Sequence, residues 1–302
     1  MRVFVTGASG HVGSALVPEL LSAGHEVVGL ARSDASAAAL AAAGVEVRRG
    51  DLRDLDVLRQ AAAEADGVIH LAFDHEAMIS GDFASAGDAD LAAVQAFGDA
   101  LAGTGKPLVI TSGTAMLAAP GLARTATEDD VLPGGYRIDS ENAVVGFADR
   151  GIRSSVVRLP PSVHSSLDKH GFVPILIAAA RTAGRSGYPG DGANRWPAVH
   201  TLDAARLYRL ALEKAPAGSR LHAVGDEGVP LREIAETIGR HLGLPVERIP
   251  DDRAEAHFGF LARFAAMDNP TSSARTQQLL DWKPEQPGLL ADLDAGHYFQ
   301  AV

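Results

Sequence analysis

Apolar and polar positions follow two alternating periods through the first half of the chain. Short runs rich in β-branched, leucine and aromatic residues lie at 2–5, 25–30, 45–49, 67–72, 107–112 and 153–159. Each is bounded by glycine, proline or polar residues, and each reads as a strand. Between them, 14–23, 36–43, 55–63, 88–101 and 142–149 read as helices. Gly24 and Gly44 stand where the first two helices should end. Pro18 is expected close to the first turn of its helix, where proline is tolerated. Strand and helix alternating in this way predict right-handed crossovers and an α/β fold with a doubly wound parallel sheet.

After Pro160 and Pro161 the pattern loosens. Residues 184–192 hold four glycines and a proline, a loop composition. Helical segments return at 204–214, 231–242, 273–280 and 289–298, with a short strand at 220–224. The expected division is a nucleotide domain at 1–160, with 198–225 returning to it. A smaller C-terminal cap from 161–197 and 226–302 would cover the substrate. In doubly wound sheets the ligand lies at the carboxyl ends of the strands, beneath such a cap.

The first strand runs straight into Thr6-Gly7-Ala8-Ser9-Gly10-His11-Val12-Gly13, and a helix follows. Strand, glycine-rich turn and helix together form the Rossmann geometry that cradles a dinucleotide pyrophosphate. Gly7 permits the tight turn, Gly10 lets the backbone approach the phosphates, and Gly13 lets helix and strand pack closely. Thr6, Gly7, Ser9, Gly10, His11, Val12 and Gly13 are therefore expected at the cofactor.

The formal net charge of −11 argues against nucleic acid or an anionic membrane as the main partner. With no cysteine, disulfides, thiolate nucleophiles and cysteine-bound zinc are excluded. The eleven histidines show no i, i+4 pair on a helix, so no metal site is expected. No run of about 18 apolar residues appears, and the chain opens on a strand, so a cytoplasmic protein is expected. The many alanines, and arginine outnumbering lysine, suggest a GC-rich bacterial source.

Six pieces in order resemble the extended and atypical short-chain dehydrogenase/reductases, the group that includes NAD-dependent epimerase/dehydratase-like proteins. They are Thr6-Gly7-x-x-Gly10-x-x-Gly13, Gly50-Asp51-Leu52, His70-Leu71-Ala72, Thr111-Ser112-Gly113, Arg158-Leu159-Pro160-Pro161 and Val199-His200-x-x-Asp203. The resemblance implies that Asp51 and Leu52 face the adenine and that Leu71, Ala72 and Phe73 run past the cofactor ribose. It also implies that Ser112, after the fifth strand, assists the substrate carbonyl, with Thr111 at the cofactor and Pro160 near the nicotinamide. Loop capping is the alternative role for Asp51 and Ser112. Relatives often pair through the helices at 88–101 and 142–149, so a homodimer is implied, with a monomer left open.

An acidic residue at the end of the second strand would favour NAD(H). Ala31 holds that place, with Arg32 and Ser33 beside it. A guanidinium and a hydroxyl suit a 2′-phosphate, so NADP(H) is expected in preference to NAD(H). The alternative is a solvated surface arginine.

The catalytic pair of the family, Tyr-x-x-x-Lys, is absent. One register puts Tyr136 in the tyrosine place and Ser140 in the lysine place. The preferred one puts Arg137 and Glu141 there. Either way the lysine that lowers the tyrosine pKa is missing. Candidate proton donors or carbonyl-polarising groups are Ser112, Tyr136, His75 and His164, in that order. Arg137 would bind an acidic substrate group or pair with Asp139 or Glu141. The expected activity is hydride transfer to a small carbonyl substrate, with NADP(H) and a non-standard proton donor. The alternatives are a non-catalytic NADP-binding sensor of the NmrA-like kind, and an epimerase with bound cofactor.

Overall fold

The computed structural model describes residues 1–118 and 124–300. The elements run β1 Arg2–Thr6, α1 His11–Ser22, β2 Glu26–Ala31, α2 Asp34–Ala42, β3 Glu46–Arg49, α3 Leu55–Glu64 and β4 Gly67–His70. Then come α4 His75–Ile79, α5 Phe83–Leu101, β5 Pro107–Gly113, α6 Tyr136–Gly146, β6 Arg153–Leu159 and β7 Ser162–His164. The second half holds α7 Phe172–Ala183, β8 Ser186–Pro189, β9 Arg195–His200, α8 Thr201–Lys214, β10 Ser219–His222 and β11 Asp226–Pro230. It closes with α9 Leu231–Leu242, β12 Val246–Ile249, α10 Asp251–Phe258, α11 Ala262–Ala265, α12 Ala274–Leu280 and α13 Leu289–Asp294.

Seven parallel strands form the central sheet in the order β3-β2-β1-β4-β5-β6-β10. The winding reverses between β1 and β4, which opens a crevice outside their carboxyl ends. Successive side chains of these apolar strands serve two different cores, as period two requires. Val3, Val5, Ile69, Val109 and Val157 pack on the face of α1 and α8. Phe4, Val68, Leu108, Ile110 and Val156 pack on the face of α3, α5 and α6. The sheet is thus covered on both sides. A third core, around Val173, Ile177, Trp196, Ile234, Phe258 and Leu293, joins α7, α9, α10 and α13 to two small sheets. Those sheets are β11-β9-β7 and β12-β8. The tail crosses back: Leu280 and Trp282 belong to the core of the large sheet, and the Trp282 indole donates to Asp203 O at 3.0 Å.

Several boundaries differ from the sequence reading. Helix α1 starts at His11, so Pro18 sits two turns inside it rather than near its first turn. Helix α6 starts at Tyr136 instead of 142, directly after Gly135 with its φ of 126°. Its buried side mixes Ile138 and Val144 with Ser140 and Glu141, so no clean apolar period marks where it begins. The short α4 was unforeseen; Asp74 caps it by accepting the Ala77 N–H at 3.0 Å. Strand β7, expected as loop, is set by parallel pairing with β9. Among the described residues no helix is long and apolar enough to cross a membrane.

Candidate active site

The glycine turn is built as steric necessity demands. Gly7 has φ +69°, and a Cβ there would lie 2.8 Å from Ala72 N. A Cβ on Gly13 would lie 2.2 Å from Gly7 O, so helix α1 can approach β1 only without one. Gly10 precedes the helix without a side-chain cap. The first intrahelical bond runs from Ser14 N–H to Gly10 O, which leaves the His11, Val12 and Gly13 N–H groups without a backbone partner among the described residues. Free N–H groups at a helix start, with no Cβ in the way, fit a pyrophosphate.

At the adenosine end, the Arg32 side chain is 70% exposed, with its Nη2 3.6 Å from Glu76 Oε1 on α4. Ser33 Oγ caps α2 by accepting the Ser36 N–H at 3.1 Å. Arg49, whose Cα pairs with Ala31 across β2 and β3, donates to Ser33 O and, at 2.8 Å, to Asp34 Oδ1. The sequence reading missed Arg49 there, because only sheet register brings it beside Ala31. Asp51 holds its own turn by accepting the Arg53 N–H at 3.0 Å, and Leu52 leans on the second core. Thr111 donates to His70 O and pairs with the Tyr208 hydroxyl at 2.7 Å. Pro160 is buried at the end of β6. His11 Nε2 lies 2.8 Å from Thr201 Oγ1, and its Nδ1 lies 3.9 Å from Asp168 Oδ1. Burial lowers the His11 pKa and raises that of Asp168.

Of the four sequence candidates for proton transfer, two are buried and one is turned outward. The Ser112 hydroxyl is buried beside Glu141. Tyr136 turns outward, 48% exposed, with its ring 5.2 Å from Phe83. His164 is fully buried between Asp292, 2.9 Å from its Nδ1, and the His200 ring at 5.5 Å. His75 opens α4 just beyond β4, with its ring 5.5 Å from that of Phe73. Desolvation, and then the charge of Arg137, hold its pKa below the ordinary imidazole range.

Arg137 occupies the mouth of the crevice. Its guanidinium stacks 4.1 Å over the Phe73 ring, just beyond β4. It pairs with neither Asp139 nor Glu141, the partners expected from sequence. Its Nη2 lies 4.0 Å from Asp90 Oδ1 instead. Behind Asp90 stands His70, with Nε2 at 3.3 Å from the same oxygen and Nδ1 at 2.6 Å from Thr6 Oγ1. Burial would raise the Asp90 pKa, but the His70 ring, Arg137 and Ser140 outweigh it and keep the carboxyl ionised. Asp90 and His70 carried no signal in the sequence beyond their helix and strand.

Glu141, four residues after Arg137, goes into the core. Arg158 Nε donates to its Oε2 at 3.0 Å, Arg158 Nη2 to its Oε1, and Arg220 Nε to Oε1 at 2.8 Å. Arg158 Nη1 meets His222 Nε2 at 3.1 Å. The His222 Nδ1–H points at Ser272 O, 2.7 Å away. Burial, and then Arg158 against the pull of Glu128, push the His222 pKa down to about 4. An ion-pair network thus fills the space behind α6. Arg137 and Glu141 are directed inward and Tyr136 outward. Among the described residues no group of three or more His, Cys, Asp or Glu is placed to hold a metal ion.

The glycine turn and the switch point define a dinucleotide-binding protein of the doubly wound class. Residues 3–224 match the NAD dependent epimerase/dehydratase family, and the chain belongs to that family. An uncharacterized Schizosaccharomyces pombe protein is 48% identical over 99% of this chain and 100% of its own length. That relative is fungal and gives no support to the bacterial source inferred from composition. A 2′-dehydrokanamycin reductase of Streptomyces kanamyceticus is 30% identical over 81% of this chain and 68% of its own. Among solved structures, a Thermotoga maritima UDP-glucose 4-epimerase superposes with a TM-score of 0.78 at 18% identity, covering 99% of this chain and 98% of its own. At that identity the likeness speaks for the fold.

Proposed function

We propose that the chain is an NADP(H)-dependent reductase of a small carbonyl compound, with Arg137 in place of the family's tyrosine. One observation carries this reading. A guanidinium whose side chain is 18% exposed sits over Phe73 at the switch point, with no hydrogen bond to another residue among the described residues. The nicotinamide supplies the hydride when bound. Arg137 donates hydrogen bonds to the substrate oxygen and holds the charge that develops there. Arginine keeps its proton at all working pH values, so it polarises without giving up a proton. His75, beside the same Phe73 ring, relays a proton from solvent to the alkoxide: the ring takes the proton up and, with its lowered pKa, releases it readily. The epimerase reading is disfavoured, because Arg137 cannot act as the base that family members draw from tyrosine.

Arg32, supported by Arg49 and the Ser33 turn, is proposed to receive a 2′-phosphate. Ala31 offers no carboxylate to repel it. The test follows the nicotinamide absorbance with NADPH and NADH against a panel of aldehydes and small ketones. Wild type should oxidise NADPH faster than NADH, and Arg137→Met should lose about 100-fold or more in kcat/KM. Arg32→Ala should raise the KM for NADPH and leave that for NADH nearly unchanged. Tight NADPH binding with no oxidation by any carbonyl would favour the sensor reading. An NADH preference would sink the 2′-phosphate assignment.

A further inference from the structure

Behind Arg137 lies a group of buried polar atoms with nothing to bind except one another. The side chains of His70 and Asp90 are 0% and 1% exposed. His70 Nε2, both Asp90 carboxylate oxygens, Ser140 Oγ, and Arg137 Nε and Nη2 all lack a hydrogen bond among the described residues. Buried polar atoms normally find partners, and a cluster left without them calls for a reason.

The hydrogen bonds nearby give the cluster a direction. Thr6 Oγ1 accepts the Ala72 N–H at 3.2 Å. Its own proton is then directed at His70 Nδ1, 2.6 Å away. That places the ring proton on Nε2, which faces Asp90 Oδ1 at 3.3 Å. The ionised Asp90 in turn faces Arg137 Nη2 at 4.0 Å. The chain of contacts starts at the last residue before the glycine turn and ends at the guanidinium over Phe73.

We infer that Asp90, oriented by His70, is a positioning residue for Arg137. It fixes Nη2 from behind and leaves Nη1 for a substrate oxygen. The inference rests on the reductase reading for its purpose, and on the geometry alone for the positioning itself. A free arginine has many rotamers, and a receptor that must be ordered on each encounter binds and reacts poorly. An anion at the rear also balances a cation that has left water. Ordinary fold maintenance asks neither of these of Asp90, since neither carboxylate oxygen caps a helix or bonds to the backbone.

The experiment uses the full chain and two independent readouts. The first is the exchange rate of the Arg137 side-chain Nε–H in 15N-labelled protein, assigned with Arg137→Lys. Asp90→Asn should speed that exchange about tenfold or more, leave the NADPH Kd within about twofold, and keep the circular dichroism of wild type. Asp90→Glu should recover part of the protection. Unchanged protection of Arg137 in folded Asp90→Asn overturns the inference. The second readout is turnover of any carbonyl the wild type reduces. Asp90→Asn should lower kcat by about 10–100-fold with little change in KM, as misplacement of a reacting group does. Equal turnover also overturns it. If the wild type reduces no carbonyl, the reductase reading falls and the exchange measurement alone decides the positioning. Should Asp90→Asn not fold, His70→Gln is measured in the same way, and unaltered Arg137 protection there counts against the inference.

Discussion

Replacing Glu141 by leucine should destabilise the protein by about 3–5 kcal/mol, the usual cost of breaking a buried pair from one side. The magnitude follows from what remains. Arg158 is fully buried, and without the carboxylate it keeps only Asp130 O at 2.8 Å and His222 Nε2 at 3.1 Å. Arg220 loses its carboxylate as well and keeps only Asn142 Oδ1 at 3.1 Å. No anion is left to balance the guanidinium. For a chain of 302 residues the unfolding entropy is roughly 0.6 kcal/mol/K, so the midpoint should fall by about 5–8 °C. Differential scanning calorimetry without cofactor measures this directly. The companion variant Glu141→Leu/Arg158→Met removes both charges and should return to within about 1–2 kcal/mol of wild type. A single-variant loss below about 1 kcal/mol would refute the reasoning. So would a double variant no better than the single, since the cost would then come from packing rather than from an orphaned charge.

Two further expectations concern other parts of the network and the turn. His222 is neutral in the fold with a pKa of about 4, against about 6.5 unfolded. The unfolded chain therefore takes up the proton first as pH falls. Stability should drop between about pH 6.5 and 4, by on the order of 3 kcal/mol from this group. Urea titrations across that window, with His222→Asn as control, should show a shallower slope in the variant; equal slopes would exclude His222 as the source. Gly13→Ala places a Cβ 2.2 Å from Gly7 O, which α1 can relieve only by moving off β1. Calorimetric titration should show NADPH binding weakened by more than about tenfold, and wild-type affinity would show that the close packing is dispensable.

The parts of the fold written in local chemistry were legible in the sequence. The alternation of periods gave the sheet and its flanking helices, and the spacing of Gly7, Gly10 and Gly13 gave the phosphate turn, because those constraints act between neighbours. Arg137 and Glu141 could be singled out as occupants of an unusual register. Their partners could not. Sequence proximity suggested Asp139 for Arg137, whereas helix packing supplies Asp90; β6 and β10 supply Arg158 and Arg220 for Glu141. Ser112, expected at a substrate carbonyl, is buried beside Glu141 of α6. His164 looked like a loop residue, yet the pairing of β7 with β9 buries it. Polar residues facing inward break the apolar rhythm from which a helix is read, so the start of α6 was hidden for the same reason that it matters.

Strand β10 closes one edge of the large sheet, and the tail covers that edge. The His222 backbone N–H donates to Thr276 Oγ1 at 2.8 Å, and Trp282 fills the core beneath α8. An edge left bare is a template for pairing with other chains. During synthesis the seven strands are all made before Thr276 and Trp282 emerge, so the nascent sheet waits with one border uncovered and a tryptophan-sized gap beneath it. Completion of the nucleotide-binding half therefore comes after the sheet itself is made, and a chain halted after β10 would present that border to its neighbours.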